Sequence, residues 1–131
     1  MPARQHFTSG NIWEQRAGFS RAIRVGDTVY TAGTIAVDKE GRTQGAGCYE
    51  QCIYISKLLG GILEQAGSSL QNVVRVRAYL VNKEDASEFT RFQRDVFGDI
   101  RPVATCVIVS GLFGEGTVVE LELVAVDQAQ D

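Results

Sequence analysis

The 131-residue sequence lacks a long apolar run and contains few lysines, two prolines and one histidine. Without about 18 consecutive apolar residues, it has no candidate transmembrane helix. Its first twenty residues also lack the apolar core of a signal peptide. We therefore expect a cytoplasmic protein with no membrane partner. The length, with 44% hydrophobic and 22% charged residues, predicts one globular domain over residues 1–131.

Basic residues are too few and too scattered to suggest a nucleic-acid partner. Thirteen lysines and arginines face sixteen acidic residues, which gives a net charge of −3. Contacts to phosphate dominate the affinity of nucleic-acid binders, so these proteins usually carry a basic patch or stripe. The sequence contains neither, and we predict no nucleic-acid partner.

The cysteines and the histidine do not form a recognisable metal or catalytic set. Cys48 and Cys52 are four residues apart and would share one face of a helix. His6 is distant in sequence, and a structural zinc site needs four such ligands. An odd number of cysteines without an export signal indicates free thiols. We predict no metal and no cofactor, and interpret Cys48 and Cys52 as small buried apolar residues.

Hydrophobic periodicity predicts five strands and two helices in the order strand, strand, helix, strand, helix, strand, strand. The predicted strands are 19–24, 28–33, 73–81, 103–109 and 117–126, and the predicted helices are 48–66 and 84–97. The glycine-rich stretch 111–116 lies between the last two strands and does not have the spacing of a dinucleotide-binding fingerprint. We interpret it as a hairpin loop.

These elements indicate an α+β fold with a mixed β-sheet and two helices on one face. The opposite face would carry an apolar patch larger than monomers usually expose. Its predicted members are Val118, Val124, Val126, Ala104, Cys106 and Ile108. The pattern therefore predicts a homo-oligomer in which a second copy covers this face.

Five segments, taken in their order and spacing, resemble the RidA/YjgF family. They are residues 18–22 (GFSRA), 30–34 (YTAGT), 66–75 (AGSSLQNVVR), 101–109 (RPVATCVIV) and 119–126 (VELELVAV). The resemblance spans roughly residues 15–127. It implies a chorismate-mutase-like homotrimer in which the sheets line a central barrel and the helices lie outside. It also implies clefts between subunits that bind a small-molecule ligand. The best-known members hydrolyse reactive imino or enamine acids to the keto acid and ammonia.

The same resemblance assigns roles within the pocket. Glu120 matches the family's pocket glutamate, which together with the carbonyl of the glycine at position 33 holds the attacking water. Phe19 takes the place of a pocket tyrosine. A carboxylate can orient and deprotonate water for imine hydrolysis. The alternative for Glu120 is a structural cross-strand pair with Arg75 or Arg77.

The penultimate strand departs from the family's pattern. Ala104 stands where deaminase members have an arginine that grips the substrate carboxylate, a strong bidentate contact that alanine cannot make. Thr105 and Cys106 follow as candidate ligand-binding residues, although Cys106 is equally compatible with a plain core position. The sequence therefore resembles an arginine-less branch of the family.

Arg21 is the candidate replacement for the missing guanidinium. It lies two residues from Phe19 and, in a strand, would share its face. It would then point into the pocket and contact an anion, unless it is a solvated arginine at a subunit rim. Its position makes it a predicted ligand-binding residue.

The leading functional hypothesis is hydrolytic deamination of an imine, an enamine or a related small amine compound. The alternative is a homotrimer that binds a small molecule without catalysis, which the loss of an arginine at Ala104 favours. A ribonuclease activity, reported for some relatives, fits poorly with the acidic net charge of −3.

Overall fold

The computed structural model describes residues 3–128 and contains one mixed sheet and three α-helices. The strands are β1 (Arg4–Phe7), β2 (Ala22–Val25), β3 (Thr28–Thr31), β4 (Thr34–Ile35), β5 (Val73–Leu80), β6 (Val103–Ile108) and β7 (Val119–Val126). The helices are α1 (Ile12–Ala17), α2 (Cys48–Gln65) and α3 (Ala86–Phe97). Short 3₁₀ turns at Leu70–Asn72 and Lys83–Asp85 precede β5 and α3. The α+β prediction is confirmed, with one more helix and two more strands than expected.

The strand order is β1-β2-β3-β7-β5-β6, and β4 pairs with β7 beyond the end of β3. All pairs are antiparallel except β5 and β6, which are parallel. The predicted hairpin at residues 111–116 is therefore wrong, because β5 separates β6 from β7. The chain passes through α3 between β5 and β6, and such a crossover returns the next strand parallel to the first. The 109–118 segment then crosses β5 to reach β7.

One face of the sheet and the helices enclose a single apolar core. In β7 the residues alternate between buried and half-buried, as expected for a strand with one covered face. One face of α2 is buried, including Cys48 and Cys52 at 1% and 0% exposure, which the sequence predicted to share a face. Both thiols are free, which confirms their reading as small core residues. The largest fully buried side chains are Phe92, Phe97, Ile55, Leu59, Leu63, Leu80, Leu121, Leu123, Gln51, Val29, Val76 and Val119.

The open face agrees with the prediction only in part. Val124 and Val126 lie on it, in register with Tyr30 and Thr28. Ala104 is opposite Val76 in the β5–β6 register, so Ala104, Cys106 and Ile108 are on the helix-facing side of the sheet, where all three remain exposed. Val118 precedes β7 and packs against the core. The parallel register decides this, and the sequence of β6 could not, because both of its faces are apolar. The open face instead carries these exposed apolar side chains: Tyr30 at 52%, Val103 at 62% and Val107 at 42%.

Two strand boundaries also differ. A register shift in β5 between Val73 and Arg75 buries Val73 and leaves Val74 exposed, whereas simple alternation along the predicted strand 73–81 would place Val74 on the same face as buried Val76. Such a bulge adds one residue to a strand and inverts the alternation on one side of it. The strand predicted at residues 19–24 is β2, which begins at Ala22, so Phe19 and Arg21 precede it.

The N-terminal segment folds back along the sheet, which the sequence pattern did not reveal. β1 pairs with β2 in a register that places His6 opposite Ile23, and its first three residues are exposed. α1 begins at Asn11, whose side chain accepts a hydrogen bond from the Trp13 amide at 2.9 Å. It ends at Gly18, where a φ of 76° reverses the chain. The only buried residue of this short helix is Glu14.

Within residues 3–128, no helix is long and apolar enough to cross a membrane. The same residues contain no cluster of three or more histidine, cysteine or acidic side chains that could hold a metal ion.

Candidate functional site

A cavity of about 940 Å³ opens where the N-terminal segment crosses the break between β3 and β4. Its walls come from α1, the β3–β4 break, the loop after β4, the middle of α2 and the loop before β7. The lining residues are Ser9, Asn11, Trp13, Ala17, Phe19, Arg21, Gly33, Thr34, Ile35, Val37, Asp38, Lys39, Gly41, Tyr54, Lys57, Leu58, Phe113, Gly114 and Glu120. The volume suits a small organic molecule.

A buried ion pair between Glu14 and Arg21 closes the inner wall. The Arg21 Nε atom lies 3.2 Å from the Glu14 Oε2 atom, and the two side chains are 8% and 5% exposed. The Glu14 carboxylate also accepts hydrogen bonds from the Thr8 hydroxyl at 2.7 Å and from the amide and hydroxyl of Ser9. Burial alone would raise the pKa of Glu14. The hydrogen bonds and the Arg21 charge together lower it by more than burial raises it, so the pKa lies below its usual value.

Arg21 connects this ion pair to the β3–β4 break. Its Nη1 atom donates to the Gly33 carbonyl at 2.9 Å and to the Thr34 hydroxyl at 3.0 Å. Its guanidinium carbon lies 5.2 Å from the centre of the Phe19 ring, in a cation–π arrangement. Arg21 and Phe19 both line the cavity, but neither lies in a strand, so the shared strand face predicted for them is wrong. The guanidinium is therefore already paired with the Glu14 carboxylate and donates hydrogen bonds to Gly33 and Thr34.

Glu120 lies against Gly33 on the opposite side of that break. A Cβ atom at Gly33 would lie 3.0 Å from the Glu120 Cδ atom and 3.2 Å from each carboxylate oxygen, so a side chain there would displace the carboxylate. The β4–β7 register pairs Glu120 with Ile35, which brings the carboxylate to the cavity. The glycine is thus required by the close approach.

The electrostatic surroundings of Glu120 suit proton transfer. Burial, together with the nearby Glu122 carboxylate, raises the pKa of Glu120, and the Arg21 charge lowers it in part. A carboxylate with a raised pKa is a stronger base once ionised, and it keeps its proton at higher pH than an ordinary glutamate does. Next to the Gly33 carbonyl, this group can hold and deprotonate a water molecule.

The ion pairs considered for Glu120 and Glu122 do not form within residues 3–128. Glu122 is opposite Arg77 in the β5–β7 register, but its carboxylate instead accepts a hydrogen bond from the Tyr79 hydroxyl. Glu120 is opposite Tyr79 and makes no ion pair among the described residues. The cross-strand pair is therefore not what keeps Glu120 in place.

The other three predicted site residues do not reach the cavity in a single chain. Ala104, Thr105 and Cys106 lie on the edge strand β6, with β5 between them and Glu120. All six residues of β6 are exposed. Partial burial and the Cys48 thiol raise the pKa of Cys106, so it is a protonated thiol at neutral pH rather than an activated nucleophile.

Three contributors to the site were not predicted. Trp13 and Phe113 line the cavity and are 59% and 89% exposed. Gln51, 1% exposed, fixes the rim by donating to the carbonyls of Gly45 and Gly116 while its Oε1 atom accepts from the Val118 amide. Two features of the sequence could have indicated them: Trp13 is the single tryptophan and lies in a polar segment, and Phe113 is an aromatic residue in a glycine-rich loop.

Comparison with known proteins gives consistent matches along nearly the whole chain. A family model described as Endoribonuclease L-PSP matches residues 10–127. An uncharacterized protein of Streptomyces coelicolor, SCO2049, is 30% identical over 123 residues, which cover 94% of this chain and 92% of that protein. A RutC family protein of Pyrococcus abyssi is 33% identical over 108 residues and covers 82% of this chain and 84% of its own length.

A solved structure extends the likeness to three dimensions. Rv2704 of Mycobacterium tuberculosis, described as a member of the YjgF/YER057c/UK114 family, superposes with a TM-score of 0.87 at 33% identity. The superposition covers 95% of this chain and 100% of that one.

The buried ion pair predicts a specific dependence of stability on pH. A carboxyl whose folded-state pKa is lowered stabilises the fold above its unfolded pKa, and this contribution disappears as the pH falls through the folded-state value. At pH 7, Glu14→Gln should lower the free energy of unfolding by about 3 kcal/mol, because it leaves Arg21 buried without a counter-charge. The difference from the wild type should shrink as the pH falls below about 4.3, the ordinary pKa of a glutamate in the unfolded chain, and disappear below the lowered folded-state pKa.

Urea unfolding of both proteins across this pH range measures the difference. Glu40→Gln is the matched control, because Glu40 pairs with Arg42 on the surface with side chains 68% and 73% exposed. That change should cost no more than about 1 kcal/mol. A deficit for Glu14→Gln that stayed constant down to acidic pH would contradict the assigned role of the ion pair.

Proposed function

This chain belongs to the endoribonuclease L-PSP family, also called YjgF/RutC/RidA, and on that premise we propose that it hydrolyses an imine, an enamine or a related small amine compound. The observation that carries the proposal is the Glu120 carboxylate packed against Gly33 in the cavity, with a raised pKa. We also propose a cytoplasmic place of action, which the three free thiols support.

In the proposed reaction, water held between the Gly33 carbonyl and Glu120 adds to the carbon of the C=N bond. Glu120 takes a proton from the water as the new C–O bond forms and passes it to the nitrogen. The C–N bond of the tetrahedral adduct then breaks as Glu120 transfers the hydroxyl proton to the leaving nitrogen, which gives ammonia and a carbonyl product. Arg21 is the positioning residue, because it donates to the Gly33 carbonyl at 2.9 Å and keeps that oxygen in place. Glu120 must be ionised to act, so turnover should rise with pH through its raised pKa.

We propose that the chain acts as a homotrimer, with the sheets around a central barrel and the ligand bound in clefts between subunits. Two features of the single chain support an assembly. The open sheet face carries exposed Tyr30, Val103 and Val107, and apolar patches of this kind usually mark an interface. β6 is an uncovered edge strand with all of its residues exposed, which natural proteins normally protect.

In this assembly, β6 of one copy would supply Ala104, Thr105 and Cys106 to the cavity of a neighbouring copy. Family resemblance assigns an arginine contact with substrate carboxylate to the position of Ala104. Its absence makes this protein a poor deaminase of α-imino acids, since a charge-assisted hydrogen bond contributes about 1.5–3 kcal/mol.

The absent arginine also favours the second candidate function, a trimer that binds a small molecule without turning it over. The ribonuclease activity in the name of the matching family model has less support here. The net charge is −3, and Glu120 and Glu122 share one face of β7, where an RNA phosphate would be repelled.

Light scattering at micromolar concentration tests the assembly. We expect a mass three times that of the 14.3 kDa chain. A stable monomer would overturn the trimer and, with it, the contribution of β6 to the site.

Glu120→Gln separates the enzyme from the binding protein. The change is nearly isosteric, so the fold and the assembly should persist. Turnover should fall by about 10²–10⁴-fold, the usual contribution of general acid–base catalysis. Turnover is measured as ammonia released from imines generated in the assay, together with the melting temperature of each protein.

Glu64→Gln is the matched control, because Glu64 is exposed on α2 and does not line the cavity. It should retain most of the turnover. If Glu120→Gln melts lower but hydrolyses at the wild-type rate, Glu120 is structural, and the hydrolytic mechanism is wrong.

Restoring a guanidinium tests the importance of position 104. Ala104→Arg should raise kcat/KM for α-imino acids by about tenfold or more, since a charge-assisted contact contributes at least 1.5 kcal/mol. Ala104→Met, which adds a side chain of similar length without charge, should give no such gain. Equal activity of the wild type and Ala104→Arg on iminopropionate would contradict the inferred substrate range.

A further inference from the structure

The cavity has exposed aromatic rings along its walls and three charged side chains, Glu14, Arg21 and Glu120, at its inner end. Trp13, Phe19 and Phe113 all line it and are 59%, 40% and 89% exposed. Single exposed apolar residues are ordinary, but three aromatic side chains around one concave site are characteristic of ligand recognition. The rings offer flat apolar surfaces that a second ring can stack against.

The charges at the inner end disfavour an anion. The Arg21 guanidinium is paired with Glu14 at 3.2 Å, and its Nη1 atom is committed to Gly33 and Thr34. Glu120 adds a negative charge directly beside Gly33. The net charge of these three side chains is therefore negative, and a substrate carboxylate next to the reacting carbon would approach Glu120 without a free cation to balance it.

Two lysines also line the cavity, but both are exposed. The Lys39 side chain runs along Gly10, where a Cβ atom would lie 3.3 Å from its Cε atom and 3.7 Å from its Nζ atom. Lys57 projects from the outer surface of α2. Ammonium groups in contact with solvent are strongly hydrated and screened, so they contribute little to binding an anion at the inner end.

We propose that this cavity binds an arylalkyl imine whose reacting carbon carries an alkyl group in place of a carboxylate, with its ring against Trp13, Phe19 and Phe113. This inference rests on the proposed hydrolysis and names its substrate class. The C=N bond of the imine is broken, the oxygen of water bonds to the carbon, ammonia leaves and an arylalkyl ketone forms. No oxidant, reductant or further reactant is needed.

The test uses a matched pair of stable product analogues. Benzylacetone is the arylalkyl ketone, and its counterpart is the α-keto acid in which a carboxylate replaces the terminal methyl group. The two differ only at the position that distinguishes the proposed class from α-imino acids. Trp13 is the single tryptophan of the chain and lines the cavity, so its fluorescence reports binding at this site in the full-length protein.

Benzylacetone should bind at least about tenfold more tightly than the α-keto acid. Phe19→Ala should weaken benzylacetone binding by about fivefold or more, since ring-to-ring contacts contribute beyond the buried area. Ile12→Ala is the control, because Ile12 is exposed on the same helix as Trp13 and does not line the cavity. Glu120→Gln should reduce the preference for the ketone by improving binding of the α-keto acid.

Equal or tighter binding of the α-keto acid would overturn the proposal, and so would an absence of any Trp13 response and of any thermal stabilisation by benzylacetone. A Phe19→Ala variant that binds benzylacetone like the wild type would also overturn it. The substrate class and the reaction fail separately. Selective binding of the ketone without turnover of the imine would refute the proposed hydrolysis and support the proposed ligand class. Turnover of imines together with tighter binding of the α-keto acid would support the hydrolysis and refute the ligand class.

Discussion

The ion pair between Glu14 and Arg21 is the interaction on which the site depends. Both side chains are almost fully buried, at 5% and 8% exposure, and a buried charge is tolerated only when it is paired and hydrogen-bonded. Glu14 holds the N-terminal segment in place by accepting hydrogen bonds from the hydroxyls of Thr8 and Ser9. Arg21 then holds the β3–β4 break through the Gly33 carbonyl. The same ion pair therefore positions both the N-terminal wall of the cavity and Gly33, against which the Glu120 carboxylate packs.

The two faces of the sheet differ in how far their apolar side chains are buried. Its helix-facing side is filled by residues such as Val76 and Leu121, which are 0% and 1% exposed. The other side mixes Tyr30, Val103 and Val107 with the charged residues of β5 and β7. β6 lies at the sheet edge, and all six of its residues are exposed. A single chain therefore buries one face of its sheet and leaves the other face and the β6 edge exposed.

Two kinds of residue make up the predicted site, and the fold separates them. Phe19, Arg21, Gly33 and Glu120 meet in one cavity of the chain. The β6 residues around Ala104 are on the far side of β5. In the proposed assembly, the residues with hydrolytic roles belong to one chain, and a second copy would supply the other ligand-binding residues. The cavity's own chemistry, with aromatic walls and a negative inner end, does not depend on that addition.

The sequence by itself determined the fold class, the positions of α2, α3 and the long strands, and the family, because these rest on hydrophobic periodicity and on motifs that are local in the chain. It also singled out Phe19, Arg21, Gly33 and Glu120. Only the tertiary structure decided which residues of β6 are on the helix-facing side of the sheet, since both faces of this strand are apolar and the parallel register with β5 makes the choice. The same is true of α1, whose six residues bury a glutamate rather than an apolar stripe. Its position is determined by a charge pair with Arg21, and no local pattern encodes a contact between residues that meet only after the chain has folded.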